Sequence, residues 1–227
     1  MIDLSNRFLF LHFRRTGGSV FCRRYYGERK SIDKNYKESS FGTGGTRHAP
    51  YKDYLKNFSN HDIESFYKVI IVRNPWDLLV SDFWAWAYPP SRQAVEERGR
   101  LRLVGSSRYW PVLPGRHYTS FREYLTDLLK VKARRLNICD LMHGCEDSIH
   151  IVRYENYDKE ISNVIANLNM SFSCKRMQSN ELVRDYDSRY GISRKRPIDF
   201  REMYNKTTKD LAYQICKKDI KKFNYEF

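Results

Sequence analysis

From Phe8 to Phe13 the chain reads FLFLHF, apolar or aromatic at every position except His12. An unbroken run of this length marks a strand covered on both faces, as in a parallel sheet; a strand with one wet face would alternate. Arg14 and Arg15 end the run, Thr16-Gly17-Gly18-Ser19 follows, and a helix is predicted from Ser19 to Tyr26. Strand, basic glycine turn and helix together make an anion site. The glycines let backbone N–H groups approach a ligand, and a helix N-terminus adds unpaired donors and a positive dipole end. The two guanidinium groups add full charges. A phosphorylated ligand is therefore expected at residues 14–19. The turn is neither G-x-x-x-x-G-K-[ST] nor G-x-G-x-x-G.

A second block, Lys68 to Trp86, reads KVIIVRNPWDLLVSDFWAW. Val69 to Val72 predicts another buried strand, rich in β-branched residues. Arg73 stands at its end, and Asn74-Pro75 opens a helix predicted over Pro75 to Ala87, with Leu78, Leu79, Phe83 and Trp86 on its apolar face. Ligands of open parallel sheets bind beyond the carboxyl ends of the strands. Two strands that both end in arginine therefore suggest one polyanionic ligand. Ile149 to Arg153 predicts a third core strand, and Asn156 is expected to cap a helix running to about Leu168. Helices are also predicted over Ala49 to Phe58, Phe121 to Val131 and Lys206 to Phe223. Gly27 to Thr46, which includes FGTGGT, reads as a polar loop leading to an edge strand.

In this order the blocks resemble the sulfotransferases that use 3′-phosphoadenosine-5′-phosphosulfate (PAPS), the carbohydrate and heparan-type enzymes and their bacterial relatives. HFRRTGGS is similar to their 5′-phosphosulfate loop, h-h-K-T-G-G/S-T-S, with Arg15 where the family has lysine. RNPWDLLVSDF is similar to R-N-P-W/Y-D-R-L-V-S-x-Y, with Leu78 in place of an arginine. IVRYENY resembles a strand ending R-Y-E-N/D-L. Ser193 to Phe227 resembles the family's basic segment and closing helix. The resemblance touches most of the chain. It implies an α/β fold, a P-loop-like three-layer sandwich with a central parallel sheet flanked by helices, formed by a single domain over 1–227. It implies PAPS as donor, PAP as product and no metal. Arg14, Arg15, Thr16, Gly17, Gly18 and Ser19 would hold the 5′-phosphosulfate. Arg73 and Ser81 would hold the 3′-phosphate, and Arg194 and Lys195 would add further cofactor contacts. Arg15 would act as a fixed charge on the leaving group, since arginine does not release its proton. His48 in RHAPYKDYL, between the two phosphate motifs, is the expected general base, because histidine has a suitable unperturbed pKa. His117 is the second choice, and an acidic residue is the third. His12 reads as a packed or supporting residue.

The chain has 227 residues and a formal net charge of +14. That charge suits an anionic cofactor and a polar or anionic carbohydrate acceptor. Nucleic acid is the weaker partner, since no helix-turn-helix, zinc-finger or RNA-recognition signature is present. Residues 89–118 break every period, and Pro89 to His117 carries six arginines against two glutamates. An acceptor-binding lid and a solvated insertion are the two readings of a segment this long, and the lid is preferred. Five scattered cysteines fit reduced thiols. Cys139, His143 and Cys145 in CDLMHGC lack standard metal spacing and read as a helix end. The run Phe8 to Phe13 is too short for a membrane span or a signal core. The expectation is thus a cytoplasmic, PAPS-dependent sulfotransferase acting on a carbohydrate hydroxyl, or a piece of a longer protein. The alternatives are a tyrosine, lipid or natural-product acceptor, or a non-catalytic nucleotide- or polyanion-binding module.

Overall fold

A computed structural model describes residues 1–32, 48–84, 118, 120–130, 137–175 and 199–227. The chain is mixed α/β and forms two compact units, Met1–Arg73 with Ile138–Met177, and Asn74–Asn137 with Gln178–Phe227.

The first unit holds a four-stranded sheet in the order β1 (Ile2–Asp3), β2 (Phe8–Leu11), β3 (Tyr67–Val72), β4 (Ile149–Arg153). Strands β2, β3 and β4 run parallel, with Phe10 opposite Val69 and Val69 opposite His150. All four residues of β2 are fully buried, as its unbroken apolar run requires. Alternate residues serve opposite faces. Phe8, Phe10, Val69, Ile71 and Val152 pack with Phe21 and Tyr25 of helix α1 (Gly18–Ile32) and with Tyr157, Ile161, Val164 and Ile165 of a later helix, Tyr157–Asn167. On the other face, Lys68 is buried, donates from Nζ to the carbonyls of Glu64 (2.6 Å) and Phe66 (3.0 Å), and lies near the Tyr51 ring of α2 (Tyr51–Asn57).

Among its described residues the second unit is largely helical: α3 (Pro75–Asp82), α4 (Phe121–Lys130) and α6 (Lys206–Phe223), the Tyr157–Asn167 helix of the first unit being α5. Trp76, Leu79 and Val80 of α3 share one core with Phe121, Tyr124, Leu125 and Leu128 of α4 and Ala212, Ile215, Cys216 and Ile220 of α6. The start of α3 follows from Asn74, whose Oδ1 accepts from the Trp76 N–H at 3.0 Å, and from Pro75 in the first turn. A reciprocal Asn205–Thr208 capping box starts α6.

The strands and the closing helix stand where the patterns predict them, with four differences. An antiparallel strand, Ile2–Asp3, pairs with β2 at the N-terminal edge; two residues are too few to carry a periodic signal. Helix α1 passes through Gly27 and runs to Ile32 rather than stopping at Tyr26. A Cβ at Gly27 would meet nothing within 4 Å, so this glycine needs no special backbone and does not break the helix. Asn156 stands at the N-cap of α5, but its side chain accepts no capping N–H. Tyr118, counted at the end of the predicted lid, is buried in the helical core against Tyr124. The rest of 89–117, with His117, and Arg194 and Lys195 lie outside the described residues. Among the described residues no helix is long and apolar enough to cross a membrane.

Candidate anion-binding site

Strand β2 ends at Leu11, and after the six residues 12–17 helix α1 begins at Gly18. Between them the backbone alternates: Arg15 has φ 60°, Thr16 does not take a positive φ, and Gly17 has φ 83°. Left-handed residues of this kind occur in turns whose N–H groups form anion-binding concavities. Thr16 is fully buried, and its Oγ1 donates to the Phe13 carbonyl at 2.9 Å, which closes the turn. The first intrahelical bond runs from Val20 N–H to Gly17 O at 3.1 Å. The N–H groups of Gly18 and Ser19 precede it, at the positive end of a 15-residue helix.

Both glycines are required by packing. A Cβ on Gly17 would stand 2.9 Å from the Tyr157 ring and 3.3 Å from the Tyr154 ring. A Cβ on Gly18 would stand 2.4 Å from the His12 ring and 2.9 Å from the Phe10 ring.

Arg73, at the end of β3, reaches this turn. Its guanidinium donates to the Arg15 carbonyl at 2.6 Å and lies 4.2 Å from the Tyr154 ring centroid. It is almost fully buried, and the stacked ring fixes its plane. Arg14 is buried against the Phe13 ring, Arg15 is half-buried and Ser19 is exposed. His48 joins through His12: its Nδ1 lies 2.8 Å from the His12 carbonyl, and the two imidazole centroids sit 4.7 Å apart. A carbonyl only accepts, so Nδ1 carries the proton and neutral His48 keeps its basic lone pair on Nε2.

Arg15, Thr16, Gly17, Gly18, Arg73 and His48 are thus brought together around one turn, with Arg14 and Ser19 as its flanks. Ser81 is buried in α3 and belongs to the helical unit. Tyr154 and Tyr157 were not singled out from sequence. Their signals were position, in YENY directly after the third predicted strand, and for Tyr154 the match of IVRYENY to R-Y-E-N/D-L. Tyr157 also reaches Cys174 Sγ from its hydroxyl at 3.3 Å, and burial drives its pKa well above the phenolic range. Of the other described histidines, His61 and His143 are exposed, and His150, on β4, faces Tyr67 of β3. No group of three or more His, Cys, Asp or Glu side chains suited to a metal forms among the described residues. All five cysteines are free thiols. Compared with protein-family models and with curated proteins, the chain gives no match.

Proposed function

We propose that this chain is a PAPS-dependent sulfotransferase that sulfates a hydroxyl, preferably of a polar or anionic carbohydrate. The observation that carries the proposal is the turn at 14–18, where alternating backbone, two side-chain-intolerant glycines and the Arg73 guanidinium converge at the carboxyl ends of β2 and β3. What supports a phosphosulfate here is a turn that offers helix N-terminal N–H donors beside cations, while the glycines at 17 and 18 let that turn pack against the Tyr157 and His12 rings. The reading implies a P-loop-like three-layer sandwich and a reducing, cytoplasmic setting for the free thiols.

When bound, PAPS supplies an activated sulfuryl group on a phosphate leaving group. The Gly17, Gly18 and Ser19 N–H groups bind the 5′ end, and Arg73 is assigned to the 3′-phosphate. Arg194 and Lys195 complete the cofactor set. Arg15 and Arg14 hold fixed positive charge where negative charge grows, an effect worth roughly 3 kcal/mol for each well-placed group. His48 takes the proton of the acceptor hydroxyl at Nε2. The His12 carbonyl keeps the ring in that tautomer and in that orientation. Arg73 holds the Arg15 carbonyl, and so the turn, in shape before any ligand arrives.

A non-catalytic nucleotide-binding module is the second reading, favoured by arginine at position 15 where a proton-donating lysine would otherwise stand. Calorimetry with PAP and with adenosine 5′-phosphate tests the site, and transfer of radiolabelled sulfate from PAPS to a panel of acceptors tests turnover. PAP is expected to bind at nanomolar to micromolar Kd, about −8 to −12 kcal/mol. Equal affinity for the two nucleotides would overturn the 3′-phosphate assignment. PAP binding without transfer to any acceptor would favour the module.

A further inference from the structure

The chemistry proposed above gives the His12 side chain no part, yet this ring stands at the start of α1. His12 directly follows β2 and keeps the parity of Phe8 and Phe10, with its ring centroid 5.8 Å from that of Phe10. It is almost fully buried. A Cβ on Gly18 would meet its Nε2 at 2.8 Å. In a helix the Cα–Cβ bonds tilt toward the N-terminus, so this nitrogen lies on the side of Gly18 that faces the free N–H groups of α1. The His48 ring centroid is 4.7 Å from that of His12. Arg14 and Arg15 follow His12 in the chain, Arg73 at the end of β3 donates to the Arg15 carbonyl, and the first turn of α1 carries no acid. The other titratable groups nearby are the Tyr154 and Tyr157 phenols, whose rings pack on Gly17, and the half-buried Cys22 thiol one turn along α1.

We infer that His12 is the proton site coupled to the anion: a dianion bound at the turn draws a proton onto His12, and the imidazolium so formed keeps His48 in its neutral, basic form. Without ligand, burial and the neighbouring guanidinium groups both disfavour a charged imidazole. An anion at the helix start reverses the local field, and His12, whose Nε2 stands at that start, gains most from it. Two imidazolium ions with centroids 4.7 Å apart repel, so the pair takes one proton and not two. The proton comes from solvent and forms an N–H bond on His12, while the His48 Nδ1–H stays on the His12 carbonyl. By linkage, anion affinity falls as pH rises through neutrality. The inference rests on the reading of the turn as an anion site, and not on sulfuryl transfer.

The test is calorimetry of the full chain with adenosine 5′-phosphosulfate, whose groups stay ionised near neutral pH, and with PAP. Titrations at pH 7 in Pipes and in Tris, which differ in ionisation enthalpy, count the protons exchanged. Wild type should take up about 0.4 proton per adenosine 5′-phosphosulfate, the value for a one-unit rise centred on the ordinary imidazole range. The phosphates of PAP titrate near pH 6, so its count is read as the difference between wild type and variant. His12→Phe keeps a flat ring against Gly18 and Phe10 but holds no proton. It should abolish the uptake and weaken binding about twofold at pH 7 and about eightfold at pH 5.5. His12→Gln is a second variant without a titrating ring, and circular dichroism verifies the fold of each. His48→Gln should retain the uptake. In sulfate transfer, the acidic limb of the rate–pH profile should move to higher pH in His12→Phe, because His48 loses its charged neighbour. No uptake by wild type, undiminished uptake in the His12 variants, loss of uptake in His48→Gln alone, or an acidic limb that stays in place would overturn the inference. Failure of both nucleotides to bind would overturn this inference and the sulfotransferase reading together. Proton uptake with no sulfate transfer to any acceptor would leave this inference standing and overturn the other.

Discussion

Replacing Gly17 by alanine adds one methyl group at the point where the turn, the helix start and two tyrosines meet. Two costs are separable. Gly17 has φ 83°, a conformation that L residues adopt at about 1–2 kcal/mol. The new Cβ would also stand 2.9 Å from Tyr157 Cε2 and 3.3 Å from Tyr154 Cε2, and neither ring is the free end of a flexible chain. Tyr157 is buried at the start of α5, and Tyr154 is held under the Arg73 guanidinium. Overpacking of this kind costs about 1–3 kcal/mol. Gly17→Ala should therefore lose about 2–5 kcal/mol, a fall in Tm on the order of 10 °C for a chain of this size. Urea titration gives the free energy directly. A double-mutant cycle divides it: in a Tyr157→Leu background the steric share should largely vanish, leaving about 1–2 kcal/mol. A loss below about 1 kcal/mol in wild type, or an equal loss in both backgrounds, would refute the packing argument.

Three further outcomes follow from the same geometry. Arg73→Ala should weaken PAP binding and also loosen the turn, since it removes the donor to the Arg15 carbonyl; Arg73→Lys restores charge without the stacked fork and should recover only part of the affinity. If Arg73→Ala left PAP affinity unchanged in calorimetry, its assignment would be wrong. His48→Ala should lower sulfate transfer by about 10²–10⁴-fold, remove the acidic limb of the rate–pH profile and leave PAP affinity nearly constant, whereas near-normal turnover would end its role as base. Burial pushes the Cys145 thiol from 9.0 up to about 12. The unfolded chain loses that proton above pH 9 while the folded chain keeps it, so this group lowers stability as pH rises from about 9 to 12. Correspondingly, iodoacetamide at pH 8.5 should leave native Cys145 unmodified and label it in urea; rapid labelling of the native chain, read by peptide mass spectrometry, would contradict its burial.

The sequence by itself determined the parts whose physics is local. A continuous apolar run makes a strand buried on both faces, Asn-Pro opens a helix, Arg73 directly follows β3, and Arg15 stands in the turn after β2. The capping box at Asn205 belongs to the same kind of short-range signal. What only the tertiary structure decided spans long distances in sequence. The Arg73 side chain serves the Arg15 carbonyl 58 residues away. Tyr157 comes to lie over Gly17 across 140 residues. That His48 turns its Nδ1 to the His12 carbonyl, and that Gly18 must be glycine because the His12 ring lies against it, follow from strand pairing and helix packing. Local patterns name the residues a turn offers; the packing of β2, β3 and α5 decides which atoms of those residues face the same point.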